Sequence, residues 1–264
     1  MLVILSYLLV GSMVGVLAGL LGVGGGVVIV PALTMVFTFQ GLPEEYIHHM
    51  ALGTSLATIV FTSFSSIRAH HKRGAVIWTI VFRIAPGILI GTFSGAWIAS
   101  QLSSYFLKVF FMFFLIYSAV HILIGIKPEA TRDLPGGFWV SGVGVIIGVL
   151  SSFVGIGGGV MSVAFMTWCN VNMHKAVGTS SAIGFPLAVS GAAGYILSGL
   201  SVTGLPGDAL GFVHLTALAG ISSASILTAP IGARLAHSLP VNALKRVFAC
   251  FLIVIAARMA WGFL

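Results

Sequence analysis

The chain has 264 residues, 58% of them hydrophobic and only 6% charged, with 12 basic and 5 acidic side chains and a net charge of +7; its mean hydropathy is +1.14. Ordinary soluble proteins carry about 25% charged residues, so a globule of this length could not cover its surface in water, and the bilayer is the expected solvent. The basic residues are scattered among apolar runs and form no stripe, which sets aside a nucleic-acid partner and leaves them as topology signals.

In chain order the apolar stretches are 2–21, 26–39, 48–69, 75–101, 105–126, 137–154, 158–169, 174–199, 209–236 and 241–263. A spanning helix needs about 20 residues, which 48–69, 75–101, 105–126, 174–199, 209–236 and 241–263 supply easily. The stretch 2–21 has no Lys or Arg before Arg68 and so lacks the basic start of a signal peptide; it is read as part of the mature fold. The stretches 26–39 and 158–169 are too short to cross unaided, and each follows a glycine-rich interruption, Gly22 to Gly26 and Gly155 to Gly159. Gly costs about 1 kcal/mol in a helix interior, so four within five residues predict an unwound turn.

The two interruptions belong to a duplicated text. Residues 20–31 read LLGVGGGVVIVP and residues 153–163 read FVGIGGGVMSV. Each is followed by a second shared phrase, HMALGTS from His49 and HKAVGTS from His174. Gly95 to Leu102 then aligns with Gly232 to Leu239, and Leu107-Lys108 with Leu244-Lys245. This divides the chain into an N-terminal transmembrane repeat, 1–126, a cytoplasmic linker, 127–136, and a C-terminal transmembrane repeat, 137–264. Equivalent loops differ in charge: RAHHKR at 68–73 is the most basic loop, whereas its counterpart at 200–208 has no basic residue. The positive-inside rule places the former in the cytoplasm and equivalent loops on opposite sides. Inversion needs an odd number of crossings per half, met by three spans plus a returning hairpin or by two short crossings plus three. The fold expected is an all-α polytopic membrane protein of two inverted-topology repeats, each with a Gly-broken short-helix hairpin plus three full transmembrane helices.

A duplicated half with interrupted hydrophobic segments at matching places points to a transporter whose site lies between the repeats. Bare backbone N–H groups at a glycine-rich helix start favour an anion, and irregular backbone at membrane depth is tolerated only when buried in protein or lining a wet cavity. The candidate substrate-binding residues are Gly24, Gly25 and Gly26 with Gly157, Gly158 and Gly159, and the hydroxyls of Thr54, Ser55, Thr179 and Ser180. His49 and His174 open the two shared phrases and could sense protons or meet an anion. Arg83 lies ten residues beyond Arg73, roughly 15 Å along a continuous helix, and an ionisable group at that depth is a functional candidate. Single glycines elsewhere, such as Gly91 and Gly144, are read as close-packing residues. Glu44, Glu45, Glu129, Asp133 and Asp208 all fall in loops or at helix starts, leaving no carboxylate inside the membrane to hold a cation. Cys169 and Cys250 have no partner at metal or redox spacing, the eight histidines show no ligand pattern, and no G-x-G-x-x-G or P-loop is present. No catalytic set, metal or cofactor is therefore expected.

These residues resemble the TauE/SafE sulfite exporters, also called the sulfonate uptake permease family. The resemblance rests on GLLGVGGGVVIVPAL at 19–33, FVGIGGGV at 153–160 and the two H-x-x-x-G-T-S phrases, and extends over essentially the whole chain. It implies a carrier for sulfite, sulfonates, sulfoacetate or similar anions, multi-pass in a prokaryotic inner (plasma) membrane. One departure is Ala164, which stands where the first cluster has Pro31. The function expected is a secondary transporter of a small anion working by alternating access; the alternatives are an anion channel and an intramembrane enzyme. The partners expected are the small anionic substrate and the lipid bilayer, with no nucleic acid; a homo-oligomer is compatible with the sequence and not specified by it.

Overall fold

The computed structural model describes residues 2–21, 25–124, 136–238, 249–250 and 252–259. The elements are α1 (Leu2–Leu21), α2 (Gly26–Phe39), α3 (Glu44–His71), α4 (Trp78–Gln101), α5 (Ser104–Ile124), α6 (Gly137–Val154), α7 (Gly159–Trp168), α8 (Met173–Gly199), a hairpin of β1 (Ala209–Leu210) and β2 (Val213–His214), and α9 (Leu215–Ser238). Residues 249–250 and 252–259 are also helical. Among the described residues, five helices are long and apolar enough to cross a membrane: Glu44–His71, Trp78–Gln101, Ser104–His121, Gly137–Val154 and Met173–Gly199. The proposed linker, apart from Gly136, lies outside the described residues, as do Gly24 and most of 241–263.

Local chemistry sets the ends. α3 begins at Glu44, ahead of the apolar run, because Pro43 starts it and Glu44 and Glu45 complement its positive N-terminus. Arg68, His70 and His71 sit in its last turn, where cations are favoured. Asn172 caps α8 by accepting the His174 N–H at 3.0 Å. α6 stops at Gly155, in the left-handed conformation at φ 64°, with Ile156 N–H donating to the Ser151 carbonyl at 3.2 Å.

The stretch 209–236 does not form one helix. Gly211, at φ 55°, turns the chain into the hairpin, with Ala209 paired to His214 and Leu210 to Val213. α9 starts only at Leu215.

α1 packs along α9, and α6 packs along α4, so each half lends its first helix to the other. Small residues permit this closeness. A Cβ on Gly11 would lie 2.6 Å from the Ile221 carbonyl, and one on Gly144 2.6 Å from the Ile84 carbonyl. Gly15 meets Ser225 as Gly148 meets Ile88, and Gly232 meets Val16 as Gly95 meets Val149. These three contacts of one half are thus matched at equivalent residues of the other. α3 and α8 also pack on each other and are the most buried of the five candidate spans. The outward faces carry exposed Phe82, Ile90, Trp97, Phe113 and Leu227, as a bilayer-facing surface does.

Candidate functional site

Gly25 in the first glycine stretch, and Gly155 to Gly158 in the second, lie between helices. α2 begins at Gly26 behind a left-handed Gly25 (φ 73°), and α7 begins at Gly159 behind a left-handed Gly158 (φ 69°). Neither helix start has a side-chain cap; the Val28 and Ile29 N–H groups donate to the Gly25 carbonyl at 3.0 and 3.1 Å and the Ser162 N–H to the Gly158 carbonyl at 2.9 Å, and the amides ahead of them are those that a helix start leaves without an intrahelical acceptor. The breaks abut: a Cβ on Gly26 would lie 2.3 Å from the Gly155 carbonyl oxygen and 2.9 Å from Ile156 Cα. Only glycine permits that approach.

The serines of the shared phrases hold these breaks. Ser55 Oγ donates to the Gly155 carbonyl at 2.7 Å. Ser180 Oγ donates to the Gly159 carbonyl at 3.3 Å and lies 3.0 Å from Ser162 Oγ, which in turn reaches the Gly158 carbonyl at 2.6 Å. All three serines are buried.

The glycine and threonine of each phrase clasp the opposite half. A Cβ on Gly53 would lie 2.7 Å from the Phe212 carbonyl, and one on Gly178 2.5 Å from the Ala75 carbonyl. Beside them, Thr54 Oγ1 accepts the His214 N–H at 2.9 Å, and Thr179 Oγ1 accepts the Ile77 N–H at 3.0 Å. Ile77 and His214 are the residues ahead of α4 and α9. Each threonine therefore secures the start of a helix in the other half. An accepting hydroxyl still carries its own proton, so both retain a donor that these bonds do not use.

Gly25, Gly26, Gly157, Gly158, Gly159, Thr54, Ser55, Thr179 and Ser180 thus fall in one buried centre. The other three candidates lie apart. His49 is buried in the second turn of α3, with Nδ1 3.2 Å from the Glu45 carbonyl, Nε2 3.0 Å from the Leu102 carbonyl and its ring stacked on Phe212. It lies five residues before Thr54, about 7.5 Å along the helix. His174 is exposed in the first turn of α8. The two histidines thus differ in setting although their phrases match. Arg83 does not lie on a helix continuing from Arg73: α3 ends at His71, Gly74 turns at φ 64°, and α4 restarts at Trp78. Arg83 is the sixth residue of α4 and exposed, and its stem packs near Gly137 at the start of α6.

A cavity of about 1420 Å³ lies beside this centre. Its lining includes Val28 and Pro31 of α2, His49, Phe212, Lys108 and Arg258. Val28 brings it to within one turn of the Gly25 break, but none of the four phrase hydroxyls lines it. Arg258 is not among the candidates named from the sequence; its place on the cavity depends on tertiary packing.

Also absent from the sequence reading is His214. It is 5% exposed, 3.3 Å from Asp208 Oδ2, stacked on Phe37 and edge-on to Tyr7. Asp208 is a loop residue, as expected, but the hairpin folds its carboxylate back onto the helix start.

The family model described as sulfite exporter TauE/SafE matches residues 7–259. The chain belongs to the TauE/SafE family. A probable membrane transporter protein of Haemophilus influenzae is 39% identical over 258 residues, covering 97% of both chains. The probable membrane transporter protein MJ0441 of Methanocaldococcus jannaschii is 30% identical over 85% of this chain and 80% of its own. The probable membrane transporter protein YdhB of Bacillus subtilis is 28% identical over 90% and 92%. No solved structure matches the chain. With five helices among the described residues able to cross a bilayer, this TauE/SafE protein is a multi-pass membrane protein of a transporter family.

Proposed function

We propose that this chain is a secondary carrier of a small anion of the sulfite, sulfonate or sulfoacetate kind, in a cell inner membrane, working by alternating access between two inverted repeats. The observation that carries this is the meeting of the two glycine breaks, Gly26 against Gly155, with the serines and threonines of both shared phrases gathered round them. Uncapped helix starts supply bare amides and partial positive charge, and Thr54 and Thr179 supply hydroxyl donors. The centre holds no acidic side chain, which suits an anion better than a cation. Interrupted helices at the junction of matched halves are where carriers of this architecture bind their cargo.

A carrier is favoured over a channel by the cavity, which approaches the centre at Val28, His49 and Phe212 without opening onto the hydroxyls. In this conformation the serines bond backbone carbonyls instead. Binding then requires the breaks to part. Because α1 packs on α9 and α6 on α4, each joining opposite halves, the bodies that rock are two bundles, α1 to α3 with α9 and α6 to α8 with α4, which meet where α3 packs on α8. The basic loop 68–73 would face the cytoplasm.

The test is counterflow in proteoliposomes, with sulfite, methanesulfonate, sulfoacetate and acetate as probes. Saturable exchange of at least one sulfur anion is expected, with no steady current in planar bilayers. A steady anion current, or no exchange of any probe, would reject the carrier.

A further inference from the structure

The hairpin ahead of α9 puts an acid and a base on the first turn of that helix. Leu215 N–H donates to the Asp208 carbonyl at 2.9 Å and closes the turn. This holds Asp208 Oδ2 3.3 Å from His214 Nδ1, while the Thr216 hydroxyl donates to the same carboxylate oxygen. The Ala217 N–H also donates to His214 Nδ1, at 3.4 Å. Ala217 is the third residue of α9, so the imidazole occupies the capping position usually filled by Ser, Thr, Asp or Asn.

Nδ1 therefore has two partners with opposite requirements. The Ala217 amide needs a lone pair there, which exists only in the neutral ring carrying its proton on Nε2. The carboxylate needs an N–H there, which exists once Nδ1 is protonated. One proton decides which bond is made. Burial opposes the imidazolium more than Asp208 favours it, which holds the His214 ring below the usual imidazole value. From the packed elements, α1 presents Tyr7, whose hydroxyl accepts from Gln40 Nε2, and α2 presents Phe37. α3 presents Thr54 to the backbone of His214. His49 of α3 and Tyr195 of α8 reach the hairpin through Phe212.

We propose that His214 and Asp208 form a proton-binding site at the start of α9, in which a proton taken up on Nδ1 exchanges the Ala217 cap for an ion pair with Asp208, and that this exchange couples the carrier's movement to pH. The coupling rests on the carrier function proposed above. It has a direct path to the anion, because the His214 backbone N–H is bonded to Thr54. The first half has no such device, since Ile77 holds the equivalent place.

The proton site is tested without any anion, by histidine ¹⁵N NMR of the full chain in nanodiscs, with the His214 resonance identified by its loss in His214→Asn. Expected are a ring unprotonated at Nδ1 at pH 8.5, protonation on acidification with a midpoint below that of a free imidazole because of burial, and a midpoint lower still in Asp208→Asn. An Nδ1–H tautomer at pH 8.5, no titration, or the same midpoint in Asp208→Asn would overturn it. Hydrogen exchange on the wild type needs no variant. Corrected for intrinsic rate, residues 215–218 should lose protection in acid while 78–81 of α4 do not; equal behaviour of the two helix starts overturns the proposal.

Coupling is read from methanesulfonate counterflow, because this anion stays ionised throughout. Wild-type exchange should vary with pH severalfold more than exchange by His214→Asn, in which Asn can still cap α9. The same pH profile in both overturns the coupling. A wild type that exchanges none of the probes would remove the carrier and the coupling together, while the proton site would still stand or fall on the resonance.

Discussion

Ile77 and His214 hold the same place in the two halves and could hardly differ more in chemistry. Each precedes a helix, each gives its N–H to a threonine of the opposite half, and each follows a carbonyl, of Ala75 or Phe212, that presses on a glycine of that half. One side chain is aliphatic; the other is an imidazole beside a carboxylate. His49 and His174 repeat the lesson, one buried between two carbonyls and the other exposed. The clasps that hold the centre together recur in both halves, whereas the histidines around it do not share a setting: His49 and His174 recur in sequence but differ in burial, and His214 has an isoleucine at the equivalent place.

The largest effect is expected where the breaks meet. Gly26→Val would drive a side chain into the Gly155 carbonyl and should cost about 3 kcal/mol, read as a large fall in the melting temperature of the detergent-solubilised protein. Gly158→Ala meets mainly the end of the Leu187 side chain, so the left-handed backbone dominates and the cost should be about 1 kcal/mol. Equal losses would mean that the breaks do not press on each other as described.

Next come the clasps. Thr54→Val and Thr179→Val each leave a buried N–H without its acceptor, of His214 or of Ile77, at about 1–2 kcal/mol each. If the halves are equivalent at this level, the two losses should agree within about 0.5 kcal/mol. A twofold disparity would break the equivalence.

The smallest stability effect is expected at His174, and its contrast with His49 is the sharpest. His49→Leu should cost about 1–2 kcal/mol by removing the one hydrogen bond that a neutral ring donates to the Glu45 or the Leu102 carbonyl, while His174→Ala should stay within about 0.5 kcal/mol. Thermal unfolding of both variants checks this, and equal costs would place the two side chains in like environments.

The glycine breaks and the phrases that hold them were legible because they occur twice in an otherwise apolar text. The roles within the phrase were not. The sequence offers Gly-Thr-Ser as a row of donors, but packing divides it, with glycine and threonine clasping the other half and serine bonding a break. Arg83 was expected to lie deep because a helix was carried across Gly74, where the backbone instead turns. The hairpin at 209–214 was hidden because Val213 and Leu215 to Leu218 continue the apolar run, and hydropathy does not distinguish a buried strand from a helix start. His214 was lost inside that run; only the fold of the hairpin brings Asp208 to it.

The most direct measurement is the initial rate of sulfite and methanesulfonate counterflow in proteoliposomes for the wild type, Thr54→Val and Thr179→Val, each reconstituted at equal folded amount. A shared anion site between the halves predicts saturable exchange by the wild type and at least a tenfold loss in both variants, including Thr179→Val, whose partner is Ile77 and not His214. Undiminished exchange in both would contradict it, because the cargo would then cross without touching the centre where the two breaks meet.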